Sequence, residues 1–179
     1  NLKATETEKQ NVIVTNTGSK PLYGSVTSSG ILKPGSEVEA SGKISLSVNY
    51  ADEEGIPVNV NSIRHGDNFT MKVTVKNMTD AQIENIALTI PVPTGWELSN
   101  DRIGEQVNPT AAYTYMDIKD DRILVYLDLK ENDELNLNFN VNCAYSGAYW
   151  VPAVSAEAMY DNSINAVLRG TYADTRKEK

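Results

Sequence analysis

Cysteine and histidine are almost absent, with one of each in 179 residues. A single Cys143 has no internal partner, which excludes a disulfide framework. One Cys and one His also fall short of the three or four protein ligands a zinc site takes. His65 lies in the polar stretch Arg64-His65-Gly66-Asp67 and reads as a turn residue. Cys143 follows Leu135, Leu137, Phe139 and Val141 at a spacing of two, which places it on the apolar face of a strand as a buried, unreactive thiol. No Gly-rich phosphate loop, GxSxG elbow or HExxH motif occurs, so no enzyme class is indicated and neither cofactor nor metal is expected. The turn Asp52-Glu53-Glu54 alone does not supply the roughly six to eight oxygens calcium takes. Positive charge is in deficit, with 16 Lys+Arg against 24 Asp+Glu and a net charge of −8. Proteins that bind nucleic acid need clustered Lys and Arg to displace counterions, so none is expected as a partner. Apolar runs are short, and none approaches the roughly 18–20 residues of a membrane span. No charged-then-apolar signal stretch is visible, and Asn1 does not look like a natural start. The sequence therefore reads as an excerpt of a longer chain.

What is present is period-two alternation, the mark of strands with one buried face. Ile44, Leu46, Val48 and Tyr50 alternate with Ser and Asn; Phe69, Met71, Val73 and Val75 with Thr and Lys. Ile86 to Val92 and Ile123 to Leu129 repeat the pattern, and Leu135 to Tyr145 is the longest run, with Asn at nearly every outward position. Turn signals separate them: Asp52-Glu53-Glu54-Gly55, His65-Gly66-Asp67, Asn77-Met78-Thr79-Asp80 and Lys130-Glu131-Asn132-Asp133. No useful window shows a 3.6-residue apolar stripe. The expectation is all-β: an antiparallel sandwich of about seven to nine strands over residues 42–179. Residues 1–41 differ. Val12–Val14 and Leu22–Thr27 suit a hairpin across Asn16-Thr17-Gly18-Ser19, followed by a linker at Lys33-Pro34-Gly35-Ser36-Glu37. Two strands alone are marginal in water, so this segment either pairs with the main sandwich or is the tail of a neighbouring domain.

Several stretches, in order, carry a resemblance. They are Thr15-Asn16-Thr17-Gly18-Ser19-Lys20-Pro21-Leu22-Tyr23 ending at Gly30; Tyr50 to Val58 with Gly66-Asp67; Pro93-Thr94-Gly95-Trp96-Glu97; Asp120-Asp121-Arg122; and Tyr145 to Val154 running on into Glu157-Ala158-Met159-Tyr160-Asp161. Together they resemble the C-terminal part of bacterial alpha-2-macroglobulins, large thioester-containing protease traps. The first stretch looks like the end of the CUB-like domain, and the rest like the last macroglobulin domain. The family's Cys-x-Glu-Gln thioester motif and its bait region lie upstream in that family and are not in this sequence. The tail from Arg169 to Lys179 departs from the family's aromatic-rich last strand.

The resemblance implies a non-catalytic domain of a broad-spectrum protease inhibitor, packed beside the thioester domain. Its partners would be that domain, the other macroglobulin domains of the same parent chain and, through the parent, target proteases. Its location would be the bacterial cell envelope, periplasmic or held at the membrane only through a lipid anchor of the parent. Met159 and Tyr160, with Glu157 before them, look placed to face the thioester, where a soft apolar lid would keep water out. A core role for Met159 in its own sandwich is the competing expectation. In a strand Tyr149 and Val151 point one way, Trp150 and Pro152 the other, so one face around Tyr149 and Trp150 is apolar beyond the sandwich, as an inter-domain contact requires. Two other classes fit the residues: a spacer or adhesive module of an envelope protein, and a carbohydrate-binding module with Trp96, Tyr113 and Tyr115 as a stacking platform.

Overall fold

A computed structural model describes residues 15–25, 33–98 and 113–177. The chain divides into two compact units, Asn1–Ile31 and Leu32–Lys179. In the first, Asn16 makes the expected turn: its Oδ1 accepts the amide of Gly18 at 2.9 Å and its Nδ2 donates to Lys20 O at 2.8 Å. No strand occurs among the described residues of this unit, and most of the expected hairpin falls outside them.

The second unit is built from strands. They are β1 (Ile44–Ala51), β2 (Ile63–Arg64), β3 (Asn68–Asn77), β4 (Ile83–Pro91), β5 (Glu97–Leu98), β6 (Tyr113–Ile118), β7 (Arg122–Leu129), β8 (Glu134–Asn142), β9 (Gly147–Val151), β10 (Val154–Ala158), β11 (Asp161–Leu168) and β12 (Thr171–Arg176). One 3₁₀ turn, Val60–Ser62, is capped by the Asn59 side chain. The described residues thus hold twelve strands. The excess over the sequence expectation comes from two-residue strands, too short to show alternation, and from a small third sheet.

Three sheets result, ordered β1-β3-β8-β5, β11-β10-β4-β7-β6 and β2-β12-β9. Every pairing is antiparallel except β2 with β12. The two larger sheets enclose the core, and alternation decides which residues enter it. Phe69, Met71, Val73 and Val75 of β3 and Leu135, Leu137, Phe139 and Val141 of β8 are buried from one side. From the other come Ile86, Leu88 and Ile90 of β4, Ile123, Val125, Leu127 and Leu129 of β7, and Val154, Ala156 and Ala158 of β10. The outer face of β3 and β8 is an amide and hydroxyl ladder, with Thr74 donating to Asn136 at 2.7 Å and Asn142 to Asn68 at 2.8 Å.

The long β8 run stops at Asn142, earlier than the alternation suggests. There Cys143 crosses to the β2–β3 turn, its amide donating to Asp67 O and its carbonyl accepting from Gly66 N, each at 2.9 Å. The thiol is fully buried, which pushes its pKa up to about 11. The stretch read as a linker packs on the sandwich. Lys33–Ser36 is a turn closed by Ser36 N to Lys33 O at 2.9 Å, and Ala40 exchanges both backbone hydrogen bonds with Val167 of β11. The C-terminal stretch forms β12 and joins β9 to β2.

Candidate functional site

β10 and β11 form a hairpin whose turn is Met159-Tyr160, with Ala158 paired to Asp161 on either side. Val154, Ala156 and Ala158 face the core, so Glu157 points outward and the chain leaves the sheet immediately after. Met159 is 43% exposed and Tyr160 84% exposed. The core role for Met159 is therefore overturned: parity along β10 directs it away from the interior, and the two-residue turn carries Tyr160 out with it.

The turn is held from both flanks. On one, Met159 N donates to Asn85 O at 3.0 Å. On the other, Asp161 Oδ1 accepts from Ser163 N at 2.9 Å, and Asn165 Nδ2 donates to Asn162 O at 2.8 Å, stabilising an outward bulge in β11. The Ser163 bonds hold the Asp161 carboxyl below its usual range. Lys43 Nζ reaches Ser163 Oγ at 3.4 Å from the segment leading into β1.

Tyr149 and Trp150 are not part of this tip. They lie on β9, in the small sheet, beyond the full length of β10. The two rings take opposite sides of the strand, as alternation requires. Tyr149 lies over Gly95, where a Cβ would come within 2.2 Å of its ring, and its hydroxyl donates to Tyr145 O at 3.3 Å and Ser146 O at 3.2 Å. Trp150 meets Tyr172 of β12 edge to face, with centroids 4.9 Å apart, and covers Gly35 and Gly170. Between β9 and the ends of β4 and β7 lies an open groove of about 520 Å³, lined by Pro91, Pro93, Arg122, Tyr149, Trp150 and Pro152. Tyr149, Trp150 and Pro152 thus border one groove, together with the charged pair Asp121 and Arg122.

The remaining candidates have local roles. Trp96 is 3% exposed and packs edge-on against Phe69 at 5.1 Å and Tyr50 at 5.7 Å, so it is no stacking platform. The Pro93–Trp96 turn that looks superficial from its sequence directs the indole inward. Tyr115 is exposed but leans on Tyr126 of the same sheet, 6.1 Å away. Asp121 and Arg122 form an exposed ion pair at 2.6 Å, which holds the Asp121 carboxyl below its usual range. Asp52 Oδ1 accepts from the amides of Glu54 and Ile56, so it caps its own turn. His65 Nε2 lies 3.0 Å from Ala144 O and ties the β2–β3 turn to the end of β8. Among the described residues, no three His, Cys, Asp or Glu side chains converge on a metal position.

An all-β unit with two facing sheets, a third small sheet and a projecting β10–β11 hairpin defines a macroglobulin-like sandwich domain. Residues 44–162 match the family described as the bacterial alpha-2-macroglobulin MG10 domain. The chain belongs to that family. It is 24% identical over 160 residues to the alpha-2-macroglobulin of Rickettsia conorii, covering 86% of this chain and 8% of that protein. Salmonella alpha-2-macroglobulin reacted with methylamine superposes with a TM-score of 0.69 at 19% identity, over 78% of this chain and 10% of that one. Escherichia coli alpha-2-macroglobulin activated by porcine elastase gives a TM-score of 0.69 at 19% identity, over 78% and 14% of the two chains. The chain thus spans a small fraction of the relatives it matches.

Proposed function

We propose that this domain is a non-catalytic part of a protease-trapping alpha-2-macroglobulin of the bacterial envelope, and that its β10–β11 tip shields a thioester carried by another domain of the parent chain. The observation that carries the reading is the exposure of Met159 and Tyr160, two large side chains at a hairpin tip whose backbone is held from both flanks. Exposed apolar groups on a fixed projection suit contact with another surface. Two relatives favour the chemistry: the Salmonella protein reacts with methylamine, and the Escherichia coli protein is activated by porcine elastase.

A thioester between Cys and Gln side chains is lost to water, so it persists only in a dry pocket. A Met side chain, unbranched and polarizable, and a Tyr ring supply apolar cover without a fixed covalent tie. Cleavage of a bait segment would separate the domains and withdraw the cover. A protease Lys amine then attacks the acyl carbon; the C–N bond forms, the C–S bond breaks, and the amine proton ends on the thiolate. The domain's share is to keep that step from happening early. An inter-domain contact of modest size suits such a release. The groove around Tyr149 and Trp150 would be a second contact with the parent.

The test is Met159→Ala in the intact parent protein, followed by the appearance of the free thiol without protease. Fully burying a Met side chain is worth roughly 1.5–3 kcal/mol, so removing it should speed spontaneous thioester loss by about ten-fold or more. An unchanged rate refutes the lid.

A further inference from the structure

Beneath the tip the β4–β7 ladder breaks. Ile83 pairs with Leu129 but Ile86 with Leu127, so β4 carries one residue too many. At this bulge Asn85 has φ 55, in the left-handed region that L-residues avoid and Asn tolerates best. Its amide donates to Asp128 Oδ1 on β7 at 2.7 Å. Its carbonyl accepts the amide of Met159 at 3.0 Å. A carboxylate on one strand thereby holds Asn85 by its amide, and the carbonyl of the same residue accepts from the first residue of the turn.

Asn85 and Asp128 are both exposed, while the extra residue lets Ile83 and Ile86 both reach the core. Met159 continues the register of β10 on β4, in which Ala158 lies opposite Ile86, so its bond to the Asn85 carbonyl extends that ladder by one residue. The bulge adds the Asp128 bond to the Asn85 amide on the opposite side, and this bond holds the residue on which the tip rests.

We propose that Asp128 and Asn85 are positioning residues that set the orientation of Met159 and Tyr160. The functional consequence rests on the lid reading above; the positioning itself does not. Without the Asp128 carboxylate the left-handed peptide loses the group that selects it, and the Met159 amide loses a fixed acceptor. Asp128→Asn retains an acceptor oxygen at the same place, and Asn85→Gly retains the backbone conformation. Both should preserve the tip.

The experiment uses this chain labelled at its methionine methyls, of which there are four, belonging to Met71, Met78, Met116 and Met159. In Asp128→Ala the Met159 methyl signal shifts while the other three stay, and hydrogen exchange at the Met159 amide speeds by about ten-fold, as expected for a local opening that leaves the fold intact. Asp128→Asn and Asn85→Gly keep both readouts near wild type. In the intact parent, Asp128→Ala speeds thioester loss and Asp128→Asn does not. An Asp128→Ala chain whose Met159 exchange and methyl signal are unchanged overturns the proposal. If exchange speeds while Met159→Ala leaves thioester loss unchanged, the positioning stands and the lid reading falls. If Met159→Ala speeds thioester loss but Asp128→Ala does not, despite faster exchange, the link between position and shielding is overturned.

Discussion

Replacing Asn77 with Ala removes a polar hub that ties two turns together. Asn77 ends β3 and is fully buried. Its Nδ2 donates to Ala81 O at 2.7 Å, Lys130 O at 2.8 Å and Leu129 O at 3.3 Å. Its Oδ1 accepts from Thr79 N at 2.9 Å and Thr79 Oγ1 at 2.8 Å. Alanine leaves the buried ends of these bonds without partners. A buried group left unpaired costs about 1–3 kcal/mol, whereas Ala81 and Lys130 are exposed residues and Thr79 is half-buried, so these partners recover part of their loss from water. The Leu129 carbonyl, on a buried residue, should dominate, giving a destabilisation of about 1–3 kcal/mol, a sizeable part of a typical total of about 5–15 kcal/mol. Urea unfolding followed by tryptophan fluorescence should show a lower midpoint with an unchanged slope. Asn77→Asp separates the two halves of the hub, because a carboxylate still accepts from Thr79 but cannot donate to the carbonyls. Facing those oxygens, the new carboxyl should have a folded pKa above its unfolded value. Its penalty is then greatest when ionised and lessens as pH falls through the folded pKa, where the protonated form donates again. A loss below about 1 kcal/mol for Asn77→Ala would refute the reasoning, since even one stranded carbonyl costs that much.

Gly95→Ala sets a Cβ 2.2 Å from Cε2 and 2.4 Å from Cζ of Tyr149, whose ring is held by its hydroxyl bonds. It should destabilise by about 1–3 kcal/mol in urea melts, and a Gly95→Ala/Tyr149→Ala pair should lose less than the sum of the two single changes. Burial raises Tyr50 from 10.0 to about 12 and Cys143 from 9.0 to about 11. Both groups keep their protons in the folded state after the unfolded chain has released them. Stability is therefore fully present below about pH 9 and falls as pH rises from there to about 12. Ultraviolet titration should find one tyrosine that ionises only with unfolding, and a native chain whose Tyr50 ionised with the exposed tyrosines would contradict this.

Strands showed in the sequence wherever one face is sealed and the other is wet. β1, β3 and β8 pair apolar residues inward with Ser, Thr, Asn or Lys outward, and β4 and β7 keep buried aliphatic residues at the same period, so alternation follows directly. β12 gave no such signal because its buried residues are Ala173 and Thr175, too small or too polar to read as a core face. β6 hid its alternation behind a register shift between Tyr113 and Tyr115. Trp96 misled as a surface aromatic because a Pro-Gly turn describes its own residues and not the one that follows. Residue 96 drops between Phe69 and Tyr50, and the missing Cβ at Gly95 lets Tyr149 close over the turn.

The hairpin tip was legible in part. Spacing along β10 puts Val154, Ala156 and Ala158 on one face, which directs Met159 outward; the same parity would send Tyr160 inward. Only the pairing of Ala158 with Asp161 shows that the chain reverses between them and carries both residues out. The support beneath the tip left a fainter trace. Ile83 and Ile86 are both buried yet three apart, and a strand cannot bury two residues at that spacing without an extra one between them. A break of this kind in otherwise strict alternation marks where a ladder has been bent. Here the bent peptide at Asn85 meets the amide of Met159, so the most informative feature of the fourth strand was the place where its pattern failed.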